Sequence, residues 1–268
     1  MAMDFTSIVS APPSGRRTAL VIDHHRYTQA VILRGRPVPW TDPTGYAQYA
    51  RQAQGLLRSD ATLLDLGAFH DQVLAADDTL RSSLSARSRT GYALKTLLAA
   101  DAVAGQAVEL AGVVAQTSGA PLILQIPSPM RWLARTHTLS GAGSVSDLDA
   151  DHAENAAMYV ADWLRRLSAL PVAMLLLDDR RPGTQSLPQV EDAAYKPLSN
   201  ITDHYRWTLG RRTQDGVELL GSAVVGALIP DTYWLADEVL APSGDFLVAD
   251  IPADAVPEKV LAQLAKFA

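Results

Sequence analysis

Four polar clusters in this chain each follow an apolar run, and each carries residue types that do acid–base or anion-binding chemistry. The first, Asp23, His24, His25 and Arg26, ends the run TALVID. A histidine titrates near neutral pH, so it can shuttle protons or ligate a metal, and a neighbouring carboxylate can orient it. The second is Asp65 at the end of ATLLDL, with His70 and Asp71 shortly beyond in LGAFHD. A carboxylate leaving an apolar strand can have its pKa raised by desolvation and act as acid or base, or it can cap the helix that follows.

The third cluster is QIPSPMR, in which Gln125 can point into a barrel while Ser128 and Arg131 are suited to an anionic group; a proline-set turn would also account for it. The fourth, Asp178, Asp179, Arg180 and Arg181, follows PVAMLLL. Two carboxylates beside two guanidiniums make a substrate clamp with an ionised acid, or a loop that neutralises itself. Neighbouring side chains on an extended chain diverge, so one of His24 and His25, and one of Asp178 and Asp179, is expected to face a shared site. The expected acid–base set is therefore Asp178, Asp179, His24, His25 and Asp65, with Gln125, Ser128, Arg131, Arg180 and His70 binding substrate.

What must position these groups is a series of strands alternating with helices. Residues 18–23, 61–66, 121–126, 171–177 and 245–249 read as strands, mostly short apolar runs of the kind buried in parallel sheets. Helical patterns fill residues 43–57, most of 71–118 with interruptions around 82–91, 149–167, 191–209 with a kink or a split near Lys196 set by Pro197, and 257–267. Thr41 or Asp42 before Pro43 has the form of an N-cap with proline at the first helical position. Residues 217–229 are apolar and punctuated by glycine. The alternation predicts one α/β domain over residues 18–268, a (β/α)8 TIM-like barrel that is incomplete or distorted because the chain is short for one. Residues 1–17, rich in Pro, Ser and Gly, are expected to form a flexible arm or lid.

Composition narrows the chemistry. The 268 residues are 48% hydrophobic and 19% charged, enough for a sizeable core, and a net charge of −6 offers no general attraction for a phosphate backbone. A small-molecule substrate is expected, with no nucleic acid and no membrane as partner, and association between copies is left open. No cysteine is present, which excludes disulfides, thiolate metal sites and a cysteine nucleophile. No H-x-H or H-E-x-x-H spacing, phosphate-binding loop or nucleophile elbow appears, so no metal and no cofactor is expected. The start has neither the basic nor the apolar part of a secretory signal, which predicts a cytoplasmic protein.

The segments LILQIPSPMRWLARTH, DADHAENAAMYVADWLRRLSALPVAMLLLDDR and YKPLSNITDHYRWTLG follow in an order that resembles the uroporphyrinogen decarboxylase and cobalamin-independent methionine synthase superfamily, over residues 121–210. The resemblance implies a (β/α)8 barrel, with Pro127, Ser128 and Pro129 as the turn after one strand and Asp178 and Asp179 as an acidic strand end. Its methyl-transferring members use a zinc–cysteine site, whereas the segment where such a ligand would fall reads LGRRTQDG, with Arg211 and Arg212. The metal-free decarboxylases are the analogy that survives. The expected function is a metal-free enzyme of lyase or group-transfer type acting on a small anionic or carbonyl-bearing substrate. Two alternatives stand beside it: a non-catalytic ligand-binding or accessory subunit on a degenerate barrel, and a metal-dependent hydrolase using His24 or His25 with Asp65 and Asp178.

Overall fold

The computed structural model describes residues 4–141, 143–180, 187–188 and 190–267. Eight strands form one sheet: β1 (Ala19–Asp23), β2 (Thr62–Asp65), β3 (Leu122–Pro127), β4 (Val172–Asp178), β5 (Thr208–Arg212), β6 (Val217–Leu219), β7 (Val225–Ile229) and β8 (Phe246–Asp250). Their order around the sheet is β1-β8-β7-β6-β5-β4-β3-β2. The fold is thus α/β with a nearly closed, barrel-like sheet.

An all-parallel (β/α)8 barrel is not what forms. Strand β6 runs antiparallel to both β5 and β7, while every other paired neighbour is parallel. The links on either side of β6 are short: the Thr213 N–H reaches the Gly216 carbonyl at 2.9 Å, and the Leu219 N–H reaches the Val224 carbonyl. Turns this tight reverse the chain, whereas a parallel neighbour needs a crossover of about a dozen residues or more.

The expected helix over residues 191–209 is split at Lys196, one of the two outcomes expected of Pro197, and it ends earlier than expected. A 3-10 turn (Asp192–Tyr195) leads into helix Lys196–Tyr205, which carries Pro197 in its first turn, where its missing N–H is no loss. Arg206, at φ 58°, ends the helix in the left-handed conformation, and β5 begins two residues later.

Strands β1 and β2 do not pair as a ladder; side chains join them. Asp60 accepts the Leu20 N–H on Oδ2 at 2.8 Å, and its own N–H goes to the Leu20 carbonyl. Ser59 Oγ accepts the Ile22 N–H at 3.0 Å and donates to the Ala61 carbonyl at 2.7 Å. Buried backbone groups must find partners, and a seam without a ladder finds them here.

Side chains alternate across each strand. Ala19, Val21, Leu63, Ile123, Leu176, Phe246 and Val248 pack together inside the barrel, while Leu20, Ile22, Leu64, Leu124, Leu175 and Leu177 pack outward in the clusters shared with the helices. Those helices include Pro43–Leu57, capped by Asp42 as expected, which lies against Asp101–Thr117. No single helix among the described residues is long and apolar enough to cross a membrane.

The opening segment, expected as a flexible arm, instead contains helix Phe5–Ser10. Asp4 caps it, Phe5 and Ile8 are fully buried, and the Phe5 ring meets Phe246 edge-on at 5.0 Å. Since Phe246 and Thr208, whose Oγ1 accepts the Phe5 N–H, both stand at strand starts, the helix closes the N-terminal end of the barrel. Gly226 makes room for this packing, because a Cβ there would lie 2.4 Å from the Phe246 ring.

Candidate functional site

The inward phase that is apolar low in the barrel ends in a polar residue at the top of six strands: Asp23, Asp65, Gln125, Asp178, Arg212 and Asp250. These groups form one network across the C-terminal mouth. Arg212 donates from Nη1 to Asp23 Oδ2 at 2.9 Å and to Gln125 Oε1 at 3.3 Å, and Gln125 Nε2 donates to Asp65 Oδ2 at 2.9 Å. The other Asp65 oxygen caps the helix Leu66–Ala76 through the Ala68 N–H, which is the capping role among the two read for it.

On the opposite wall, Asp178 takes a forked contact from Arg180, Nε to Oδ1 at 2.8 Å and Nη2 to Oδ2 at 3.0 Å, and Arg131 Nη1 lies 2.9 Å from Oδ2. Arg180 also reaches Asp250 Oδ2 at 3.3 Å, which ties the two walls together. Asp179 turns the other way and accepts a hydrogen bond from Ser128 Oγ, while its N–H goes to the Arg212 carbonyl. Arg181 lies outside the described residues. Ser128 is completely buried and caps helix Pro129–Ser140, so its position is that of the proline-set turn.

The histidines do not diverge as expected. The chain is already helical at His24 (φ −82°, ψ −17°), and neighbours on a helix stand closer in direction than neighbours on a strand. The rings of His24 and His25 therefore stack, 4.1 Å apart. His25 Nδ1 lies 3.0 Å from Asp23 Oδ1 and its Nε2 lies 2.7 Å from Tyr46 Oη, with Trp40 stacked on its other side at 5.0 Å. His24 sits beneath it with Nε2 buried and unpartnered, and burial, then the charge of His25, holds its pKa well below the usual histidine value.

His70 is not part of the mouth. Its Nδ1 bonds to the Leu66 carbonyl, one turn back on its own helix, and its ring stands edge-on to Trp132 and Trp163. The expected grouping of His70 with the strand ends is not what forms: helical geometry carries it off the strand end and into the layer of helices.

The pKa values of the mouth carboxylates are shifted in opposite directions. Burial by itself would raise Asp23, but the hydrogen bond from His25 and the charge of Arg212 hold it well below its ordinary value. Burial likewise opposes Asp178, yet its bonds to Arg180 and the charge of Arg131 lower it. Asp65 and Asp250 are raised, by burial first and by the negative charge of Asp23 second. Carboxylates whose pKa values are pushed apart at one site can serve as one proton acceptor and one proton donor. Solvent reaches the network at Arg180 and Asp250, whose side chains keep 27% and 25% of their exposure.

Three members escaped the sequence reading. Arg212 lies between the expected helix 191–209 and the apolar residues 217–229, where no strand is expected, so its inward phase after Gly210 is hidden. Asp250 stands one residue past the expected strand, although the alternation Phe246, Val248, Asp250 points to it. Tyr46 has no signal at all: on helix Pro43–Leu57 it is one buried aromatic among several.

A cavity of about 840 Å³ opens beside the network, lined by Asp179, Glu191, Asp192, Arg211 and Thr213 among others. Of the expected site residues Asp179 borders it, and Arg211 is engaged by Asp192 and Glu218. Among the described residues no group of three or more His, Asp or Glu side chains is arranged to hold a metal ion. Fold and network together define a barrel-like α/β protein with an ion-paired polar mouth. Comparison with protein-family models, with curated proteins and with solved structures finds no match.

Proposed function

We propose that this chain is an enzyme that works by general acid–base chemistry at the C-terminal mouth of the barrel, on a small substrate bearing an anionic or carbonyl group. The observation that carries the reading is the chain Asp23–His25–Tyr46, in which one ring nitrogen of a histidine is held by an ionised carboxylate and the other faces a phenol. A carboxylate on one imidazole nitrogen fixes the ring's orientation and leaves the other nitrogen to exchange a proton, the arrangement by which a histidine moves protons. In this reading His25 and Tyr46 exchange the proton with substrate, Arg180 and Arg131 orient its anionic group, and Asp250, with its raised pKa, returns a proton. Lyase and group-transfer reactions suit such a set, which also fits the resemblance to the metal-free decarboxylases.

The test is to incubate the purified protein with a fractionated metabolite extract and follow small acids by mass spectrometry, beside the variants His25→Asn and Tyr46→Phe. The expected result is a compound consumed by the parent and consumed at least about a hundredfold more slowly by His25→Asn, the scale of a lost acid–base group. A compound that copurifies and is retained unchanged by the parent and by His25→Asn alike would support the ligand-binding reading instead.

A further inference from the structure

A second cavity, on the outer helical layer, has a chemistry of its own. It holds about 600 Å³ between the end of helix Asp78–Leu84, the loop 85–91, helix Tyr92–Ala99 and Tyr159 of helix Ala150–Leu164. Arg87, Arg89 and Lys95 line it, no carboxylate does, and none of the three forms an ion pair among the described residues. In a chain of net charge −6 the other arginines nearby are neutralised: Arg81 by Asp78, Arg135 by Asp71 and Arg166 by Asp101.

Aromatic rings take the place of the missing acids. Arg87 lies over the Tyr92 ring and Lys95 over the Tyr159 ring, each 5.5 Å from the ring centre. A ring face holds a cation in place without cancelling its charge, so these groups remain available to a ligand and have less freedom to lose on binding. Thr90 and Thr96 add hydroxyls to the lining. The volume lies within the range of small-molecule pockets and gives specific placement to a compact polyanion.

We propose that this cavity binds a small phosphate-bearing molecule, with Arg87, Arg89 and Lys95 gripping the phosphate oxygens between Tyr92 and Tyr159. Three unpaired cations within one half-enclosed space match the two charges of a phosphate monoester or the three of a diphosphate, and guanidiniums grip the oxygens in forked pairs. The site lies on the helical layer, separate from the barrel mouth, and does not depend on the reaction proposed there.

Titration calorimetry of the whole chain with inorganic pyrophosphate, at low and moderate salt, tests it. The expected result is one equivalent bound, weakened by salt, with the dissociation constant raised at least about tenfold in Arg87→Ala/Arg89→Ala and in Lys95→Gln, since each removes a charge-assisted hydrogen bond. All three residues are exposed, so the variants should melt like the parent, and Arg180→Ala at the barrel mouth should bind as the parent does. No binding, binding lost in Arg180→Ala but kept in Arg87→Ala/Arg89→Ala, or stronger binding of a poly-glutamate peptide than of pyrophosphate would each overturn the proposal, the last by making the groove a contact for an acidic protein.

Discussion

Arg212 places Nη1 2.9 Å from Asp23 Oδ2, and the two side chains keep only 3% and 10% of their exposure. The residues lie on β5 and β1, four strands apart in a sheet of eight, so the contact spans the barrel's width. It joins segments 189 residues apart in sequence. The ion pair acts as a strut that fixes the distance between the wall carrying His25 and the wall carrying Asp178, because Arg212 also leans on Asp250 at 3.8 Å.

Removing one partner of such a buried pair leaves the other charge stranded. Arg212→Met is expected to lose about 3–5 kcal/mol in urea denaturation, and Arg212→Met/Asp23→Asn to lose less than the single variant, since the stranded charge is gone. A single variant within about 1 kcal/mol of the parent would show that the strut does not hold the mouth.

The seam between β1 and β2 depends on two side chains where other strands have a ladder. Asp60 accepts N–H groups from Leu20 and, at 2.9 Å, from Ser14, so Asp60→Ala leaves both donors without a partner. A loss of about 2–4 kcal/mol is expected. Amide hydrogen exchange of Leu20 should quicken beyond the global change, while that of Leu124 on the paired strand β3 follows global stability. Equal acceleration at both sites would mean that the seam closes without Asp60.

Acid should weaken the fold through His70. Burial among aromatic rings pushes its pKa down from 6.5 to about 4, with the hydrogen bond to the Leu66 carbonyl acting against that shift. The unfolded chain takes up this proton near pH 6.5 and the folded chain only near 4. The contribution is therefore complete above pH 6.5 and is lost as the pH falls towards 4, a change of about 3 kcal/mol. His24 shifts in the same direction, so the parent should be steeper than one histidine requires. Denaturation at pH 7 and pH 4.5 should show a clearly smaller difference for His70→Leu than for the parent, and parallel curves would count against a neutral buried His70.

The helix at the N-terminal end of the barrel should matter to stability. Phe5→Ala empties a fully buried site against Phe246 and is expected to cost about 3 kcal/mol, near the low end for a buried phenylalanine. Chemical denaturation measures it directly. An unchanged midpoint would mean that residues 4–17 behave as the loose arm their composition suggests.

The sequence by itself determined that this is an α/β chain whose strands deliver ionisable residues to their C-terminal ends. Apolar runs closing in DHHR, LDL and DDR are a local pattern, and local patterns are legible because period and burial are set residue by residue. It also placed a helix cap at Thr41 or Asp42 before Pro43 and divided Asp178 from Asp179, since both follow from dihedral preference and alternation. What only the tertiary structure decided is which groups meet. Arg212 pairs with Asp23, Tyr46 faces His25, and Ser59 and Asp60 close the seam, each contact joining segments that no local pattern relates. The antiparallel turn of β6 belongs to the same class, because strand direction depends on which edge the chain returns to. Phe5 is the plainest case: its neighbours in sequence are those of a mobile terminus, and its burial follows from the open lower end of a barrel that exists only after the chain has folded.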